Sequence, residues 1–436
     1  MLKRTLVLVM VVVVALAFSM SGCGKKADTG GGSTSQTTIN VIMPKHEMDT
    51  IGLYEQKTRQ FETDNPGIKV NLINQSWDNV ADKITTDLTA GGGSYDVIEF
   101  DNSWVAKFSA NDWLEPLDGY PGADVCKAGM LPGLIDKFSM NGSLYGLTWN
   151  NDTRFFMYNK KMLDDAGIAN PPKTWDELVA DSKILQQKKI CKYGYIDSYM
   201  QAQSGTNELT YMVYSFGGKQ VDDQGNPVFA TDPNTAKAYQ FLADGLNKDK
   251  IIDPASLTAD YQTAESVFLA GNTAFFIQAW PGVYSDSNNA DMSSVVGQVA
   301  VADYAVSSDP ANQVVLTLPE ALAIPKTSKN KDAAWKYIQY MTSKDFDKER
   351  GLQIGALPVW SDLFNDSDLL AKYPYWEQFG KQAAFAKGEP DLLWYDQLSN
   401  IVSTESQKIL LGKVSVAKGL QSIQDQSVKA KNSQQG

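Results

Sequence analysis

From residue 39 onward the chain alternates short apolar runs with amphipathic stretches, and glycine, proline and asparagine stops divide them. Ile39–Met43 (INVIM) has the unbroken apolar character of a buried strand. Residues 51–64 carry Leu53, Tyr54, the Lys57 stem and Phe61 at helical spacing, and Asn65-Pro66-Gly67 stops that helix. Ile68–Leu72 then alternates apolar and polar residues as a strand does. Residues 78–90 read as a helix ended by Gly91-Gly92-Gly93, and Asp96–Phe100 (DVIEF) as a further short strand. The second half continues the pattern. Thr174 and Glu177 have capping-box spacing after Pro171-Pro172 and predict a helix to about residue 187. Residues 193–196 suit a strand, 259–270 a helix, Thr273–Ala279 (TAFFIQA) a buried strand, and 332–341 a helix with Ala334, Trp335, Ile338 and Met341 on one side. No internal repeat of short period is visible. Strands that alternate with helices imply parallel pairing and an α/β fold.

The first residues carry a different message. Met1-Leu2-Lys3-Arg4 is basic, Leu6–Phe18 is uninterruptedly apolar, and Ser19-Met20-Ser21-Gly22-Cys23 follows. A charged start, a short apolar run and small residues before a cut site describe an export signal. The run is shorter than the ~20 residues that span a bilayer. Met20-Ser21-Gly22-Cys23 resembles the bacterial lipobox, with methionine where leucine is preferred, and that resemblance implies diacylglycerol on Cys23. An ordinary secreted protein or an uncleaved anchor helix is the alternative. The Gly/Ser/Thr-rich stretch that follows has nothing apolar enough to build a core and suits a flexible tether. The expected plan is a signal peptide at 1–22, a lipid on Cys23, a tether over 23–38, and a soluble body held at the outer face of the bacterial cell membrane.

That body is long enough for two lobes. The formal net charge is −12, and removal of a leader whose only charges are Lys3 and Arg4 makes the body more acidic still. Such a balance argues against nucleic acid as a partner, because phosphate backbones require basic patches. With Cys23 assigned to lipid, Cys126 and Cys191 remain. An exported compartment permits a disulfide, but their positions do not say whether the two meet. There is no CxxC and no His/Cys cluster, so neither a metal nor a cofactor is expected. No GxSxG, HExxH, P-loop or dinucleotide fingerprint occurs in context, so no catalytic residue is assigned.

Several stretches together resemble the extracellular solute-binding protein family typified by maltose-binding protein. They are Phe61-Glu62-Thr63-Asp64-Asn65-Pro66-Gly67-Ile68-Lys69-Val70, Tyr95-Asp96-Val97-Ile98, Tyr145-Gly146-Leu147 with Tyr158-Asn159-Lys160, and Pro171-Pro172-Lys173-Thr174-Trp175-Asp176-Glu177-Leu178. Further along come Gly271-Asn272-Thr273-Ala274 with Trp280-Pro281, Ala323-Ile324-Pro325-Lys326 with Ala333-Ala334-Trp335, and Gly355-Ala356-Leu357-Pro358. Their order and spacing carry the resemblance. It implies an α/β, two-lobed periplasmic-binding-protein-like fold of type II with a hinge between the lobes. The lobes are expected at 39–152 plus 320–365 and at 153–319 plus 366–436. It also implies a monomer that binds a sugar or oligosaccharide in the cleft and passes it to the permease subunits of an ABC importer. Two other readings stay open: the same fold for a non-sugar, cationic solute, and an extracellular carbohydrate-active enzyme using paired carboxylates.

A sugar site needs aromatic platforms and planar polar groups, and the chain has ten Trp and nineteen Tyr. Ligands of α/β sheets sit beyond the carboxyl ends of strands. By that rule His46, the only histidine, and Glu47 follow the first strand, and Asp101 and Asn102 follow DVIEF. His46 is otherwise a surface loop residue, and Trp104 reads as packing. Trp149, Asn150, Asp152 and Arg154 fall where the first lobe crossing is expected and either line the cleft or hold the hinge. Gln201, Gln203, Asn207 and Glu208 lie between a strand and a helix expected over 211–216, in a region that supplies second-lobe contacts in the family. Trp280 ends TAFFIQA and is a stacking platform or a core residue. Trp394 and Tyr395 lie where relatives place a late aromatic contact, with core as the alternative. Leu318-Pro319-Glu320-Ala321 departs from the Gly-Gly-Trp of many relatives. Glu47, Asp101, Glu208 and Glu320 favour a cationic group if they face one cleft.

Overall fold

The computed structural model describes residues 36–46, 48–373 and 375–433. The signal peptide, Cys23, the tether up to residue 35 and Glu47 lie outside the described residues. The strand-and-helix alternation resolves into two principal sheets built from β1 (Thr37–Pro44), β2 (Ile68–Gln75), β3 (Val97–Asp101), β4 (Leu147–Asn150), β5 (Phe155–Asn159), β6 (Tyr193–Tyr195), β7 (Thr273–Ala279), β8 (Val299–Val301) and β9 (Glu320–Ala323). The first sheet has the order β2-β1-β3-β9-β4 and the second β8-β5-β7-β6. In the first, β1 runs parallel to β2 and β3, and β9 is inserted antiparallel between β3 and β4. In the second, β5 is antiparallel to β7 and β8, while β6 is parallel to β7. Each sheet is the centre of one lobe.

The apolar runs sit where both faces are covered. DVIEF supplies β3 and TAFFIQA supplies β7, and every residue of both strands is buried. β2 is an edge strand, and its start alternates buried Ile68 and Val70 with exposed Lys69 and Asn71. β1 begins earlier than expected. Thr37 and Thr38 already pair with Ile68 and Lys69, so the tether ends before residue 37. Backbone pairing does not require an apolar side chain at an exposed strand end, which is why these two threonines read as tether.

The capping box forms. Thr174 Oγ1 accepts from the Glu177 amide at 3.2 Å, and the Glu177 carboxylate accepts from the Thr174 amide at 3.2 Å. A cap of this kind contributes about 0.5–2 kcal/mol to the Trp175–Gln187 helix. Trp175, at its first position, is buried; its indole donates to Ser215 Oγ at 3.0 Å and its ring lies 4.9 Å from that of Phe241.

A longer helix than expected spans Gln203–Ser215, and it is buried from Ser204 to Ser215. Gln203, Asn207 and Glu208 therefore lie on the helix and not on a loop before it. Gly205 and the polar residues disguise its start. The glycine is required: a Cβ there would stand 1.9 Å from the Met200 carbonyl oxygen.

The chain changes sheets between Asn150 and Phe155, and returns between Leu316 and Glu320. The two passages pair with each other. The Arg154 amide donates to the Leu316 carbonyl at 2.8 Å, the Leu318 amide donates to the Asp152 carbonyl at 2.8 Å, and the Thr153 hydroxyl donates to the Thr317 hydroxyl at 3.0 Å. A short two-stranded ribbon thus joins the lobes. Cys126 and Cys191 are both free and buried, one in each hydrophobic core, so they form no bridge. Burial pushes the Cys191 thiol up to about 11.

Candidate ligand-binding site

The insertion of β9 creates the first wall of the site. Because β9 runs opposite to β3 and β4, its first residue lies beside their last, and Glu320 is in register with both Asp101 and Asn150. Three polar side chains therefore stand in a row at the carboxyl ends of β3 and β4. Asn150 Nδ2 donates to Glu320 Oε2 at 2.5 Å. Asp101 Oδ1 accepts from the Ser103 amide at 2.7 Å and the Ser103 hydroxyl at 2.5 Å, which starts the Asn102–Trp104 turn. His46, two residues beyond β1, pairs through Nε2 with Glu99 Oε1 at 2.8 Å.

The second wall comes from the crossing and from the other lobe. Arg154 Nη2 donates to Asp152 Oδ2 at 2.6 Å. The Arg154 guanidinium lies 4.4 Å from the Tyr261 ring centre and 5.4 Å from that of Trp280, which directly follows β7. With its amide oriented by its neighbours, Asn207 donates to Glu389 Oε1 at 2.5 Å and to the Gln203 carbonyl at 2.9 Å, and accepts from the Tyr261 hydroxyl at 3.3 Å.

Between the walls lies a narrow cavity of about 30 Å³, so a sugar-sized guest needs the walls to move apart. His46, Asn150, Asp152, Arg154, Asn207 and Glu320 supply its polar lining. Trp77, Tyr261, Trp280, Met48, Leu318 and Pro44 supply the rest. The lobes meet over it. Trp104 Nε1 donates to Gln203 Oε1 at 3.2 Å, the Ser204 amide and hydroxyl donate to Asp78 at 3.4 and 3.3 Å, and Lys107 pairs with Asp396.

Carboxyl groups dominate the electrostatics. Asp101, Asp152, Asp197, Glu208, Glu320 and Glu389 are all buried in and around the cavity, with Arg154 as the arginine among them. Burial raises the Asp101 carboxyl to about 6 and the Asp197 carboxyl to about 7. Burial also lifts Glu208, Glu320 and Glu389 well above the usual range; Asp197, Asp152 and Asp101 respectively are the strongest charged neighbours adding to the rise. Burial works against the Arg154 charge, but Asp152, Tyr261 and Glu208 hold it firmly cationic. Asp152 Oδ1, Asn150 Oδ1, Trp280 Nε1 and both Glu208 oxygens meet no hydrogen-bond partner in the protein. Such groups are expensive to bury unless something else satisfies them. His46, Glu99 and Glu320 are the trio of described residues whose ligand atoms fall within 4.8 Å of one another, the spacing a metal ion would need.

Of the residues singled out in the sequence, the structure gathers His46, Asn150, Asp152, Arg154, Asn207 and Trp280 around one cavity. Asp101, Asn102, Glu208 and Tyr395 are buried just behind it; Tyr395 donates to Glu389. Glu47 lies outside the described residues. Trp149 and Trp394 are placed elsewhere. Strand alternation turns Trp149 away from the cavity when Asn150 faces it, and Trp149 packs against Tyr54 and His46 at 4.7 and 5.2 Å with Arg350 over its ring at 5.1 Å. Trp394 belongs to the core of the second lobe. Sequence reasoning did not single out Trp77, Tyr261, Asp197 or Glu389. Trp77 follows the carboxyl end of β2 by two residues, so the rule that selected His46 and Asp101 also reaches it. Tyr261 opens a helix and has no comparable signal.

A sequence profile described as bacterial extracellular solute-binding protein matches residues 49–348. A binding protein of Brucella abortus is 26% identical over 390 residues, covering 86% of this chain and 89% of its own length. Among solved structures, a maltose-bound T. maritima protein superposes with a TM-score of 0.83 at 23% identity, covering 90% of this chain and 99% of its own. An ABC transporter solute-binding protein of Thermotoga lettingae bound with α-D-tagatose gives 0.79 at 26% identity, covering 91% and 100%.

The raised carboxyls set the pH dependence of stability. In the unfolded chain an aspartate releases its proton near 4, whereas Asp101 and Asp197 in the folded chain keep theirs until about 6 and about 7. The folded state binds more protons in that interval, so the stabilisation is complete below pH 4 and disappears as the pH rises through 6 and 7. Ligand-free protein is expected to lose stability between about pH 4 and pH 7, at up to about 1.4 kcal/mol per pH unit for each such proton. Urea unfolding at several pH values checks this. Asp197→Asn is expected to flatten the slope, and a stability that rises over the same interval would contradict the assignment.

Proposed function

Because the chain belongs to the bacterial extracellular solute-binding protein family, we propose that it captures a sugar or oligosaccharide between its lobes and delivers it to the permease of an ABC importer. The observation that carries this reading is the composition of the cavity wall. Trp280, Tyr261 and Trp77 offer ring surfaces, and Asn150, Asp152, Asn207 and Glu320 place planar polar groups between them. Sugar rings present weakly apolar C–H faces edged by hydroxyls, and this alternation of rings and hydrogen-bonding groups suits them. The unpartnered Trp280 Nε1 and Asn150 Oδ1 are a donor and an acceptor for such hydroxyls. Two similar structures carry maltose and α-D-tagatose, which supports the same ligand class here.

Entry requires the walls to part. The ribbon formed by residues 151–154 and 317–319 is the proposed hinge; polar pairs at the cavity rim, Lys348 with Asp366 and Asp368, and the Tyr373 hydroxyl donating to the Gly351 carbonyl are among the other contacts that cross between the lobes and that opening must accommodate. In this reading the lobes comprise 39–152 plus 320–365 and 153–319 plus 366–436. The protein acts as a monomer without catalysis or cofactor, and does not bind nucleic acid.

Thermal unfolding across a panel of monosaccharides, oligosaccharides and polyols, with a parallel assay for products, tests the reading. One sugar is expected to raise the midpoint without being converted; at a hundredfold excess over Kd the gain is about 2.7 kcal/mol. Turnover, or a panel with no binder, would overturn it. Trp280→Ala is expected to weaken that sugar by about tenfold to a hundredfold in calorimetric titration, and some loss of ligand-free stability accompanies it because the ring also packs on Phe276.

We further propose that Cys23 becomes the mature N-terminus and carries lipid, holding the body at the outer face of the membrane. Lys3, Arg4, the apolar run and Ser21-Gly22-Cys23 support this. Cys23→Ala is expected to leave the protein unprocessed or released into the medium. A processed variant retained on the membrane would refute the lipid.

A further inference from the structure

The charge around the cavity does not balance for a neutral guest. Asp152 and Glu320 stand in the wall itself. Beside Glu320 in register stands Asp101, whose charge acts on Glu389, the acceptor for Asn207 and Tyr395; Asp197 and Glu208 act on each other in the same way and on Arg154. All six carboxyls are at least nine-tenths buried. Arg154 is already engaged by Asp152 at 2.6 Å, and His46 by Glu99 at 2.8 Å. The Lys137 charge acts on Glu389, and Tyr395 and Ser103 face it as well. Tyr261 faces Glu208.

Two close carboxylates cannot both stay ionised in a dry site without a proton or a cation between or beside them. A neutral sugar brings hydroxyl donors but no charge, so each pair would keep its proton. An ammonium brings three donors and a full positive charge. Among the spare groups of the wall are the acceptors Asp152 Oδ1 and Asn150 Oδ1, suited to an ammonium, beside the donors Trp77 Nε1, Trp280 Nε1 and Arg154 Nε, suited to sugar hydroxyls. The ring faces of Trp280 and Tyr261, which already hold the Arg154 guanidinium, also suit a cation.

We propose that the solute bound in this cleft is a cationic sugar, one whose ring carries at least one protonated amine, with Glu320 and Asp152 as its direct carboxylate partners and the Asp101–Glu389 and Asp197–Glu208 pairs supplying the negative field. This rests on the sugar-binding reading and narrows it. Binding displaces protons held by the cluster, so affinity for the amine rises with pH across the interval in which these carboxyls ionise. Arg154 offsets one of the six carboxylates and leaves the cleft negative.

The test is isothermal titration of the whole body with matched sugars that differ in one substituent. Glucosamine, galactosamine and mannosamine, and their β-linked dimers, are compared with the parent hydroxyl sugars and with the N-acetylated forms, which keep the bulk and lose the charge. Spermidine and choline serve as cations without a sugar ring. One amino sugar is expected to bind at least about tenfold tighter than its hydroxyl and N-acetyl counterparts at pH 7.5. It should weaken severalfold at pH 5.5, and the observed heat should depend on buffer ionisation because protons are released. Glu320→Gln keeps the Asn150 contact and is expected to abolish most of the preference, and Glu208→Gln to reduce it. Both variants should fold with unchanged circular dichroism. Equal or tighter binding of the hydroxyl or N-acetyl sugar overturns the cationic assignment and leaves the sugar reading standing. Binding of spermidine or choline alone overturns the sugar reading. If no compound binds, both fall.

Discussion

The buried pairing of Asp152 with Arg154, two residues apart on the strand that passes between the sheets, ties the structure together. Their backbone groups bond to Leu318 and Leu316 on the returning strand, so the pair sits on the ribbon that joins the lobes. Their side chains face the cavity, and the guanidinium lies against Tyr261 and Trp280 from the second lobe. A buried ion pair of this kind seldom adds net stability, but loss of one partner leaves an uncompensated charge that costs about 3–5 kcal/mol. Its value here is positional: one interaction orients the crossing strands and holds two aromatic rings, and the Arg154 charge opposes the upward push that burial exerts on the Asp152 carboxyl.

The second constraint is topological. A parallel sheet alone would bring only strand ends of one sense to the cleft. The antiparallel β9 brings the start of a late strand to the same edge, and so sets Glu320 between Asp101 and Asn150. The same segment continues from the returning passage, so hinge and site share a few residues. Movement at the ribbon therefore changes the site directly, without any long path between them.

Much of this architecture is legible in the sequence where local chemistry decides the outcome. The Asn65-Pro66-Gly67 stop, the Thr174/Glu177 capping box and the wholly apolar core of TAFFIQA each correspond to an element with nearby bounds. Position at the cavity was legible when a strand end was, as with His46 and Trp280. The misplacements have physical causes. Trp149 and Asn150 are neighbours on one strand, and only the direction of the pleat decides which faces the cavity. The start of the Gln203–Ser215 helix is hidden because its inner face is polar and buried, the reverse of an ordinary amphipathic pattern. Glu389 gains meaning only through Asp101, far away in sequence, and Asp197 through Glu208 on the helix that follows, and no spacing rule links either couple.

Opening at the ribbon of residues 151–154 and 317–319, and closure around a solute in the cavity, are what the architecture demands of a binding cycle. Small-angle X-ray scattering on the ligand-free protein and on the protein saturated with its tightest-binding sugar measures this directly. A smaller radius of gyration is expected in the saturated sample. An identical, open profile at a saturation proven by titration would contradict it.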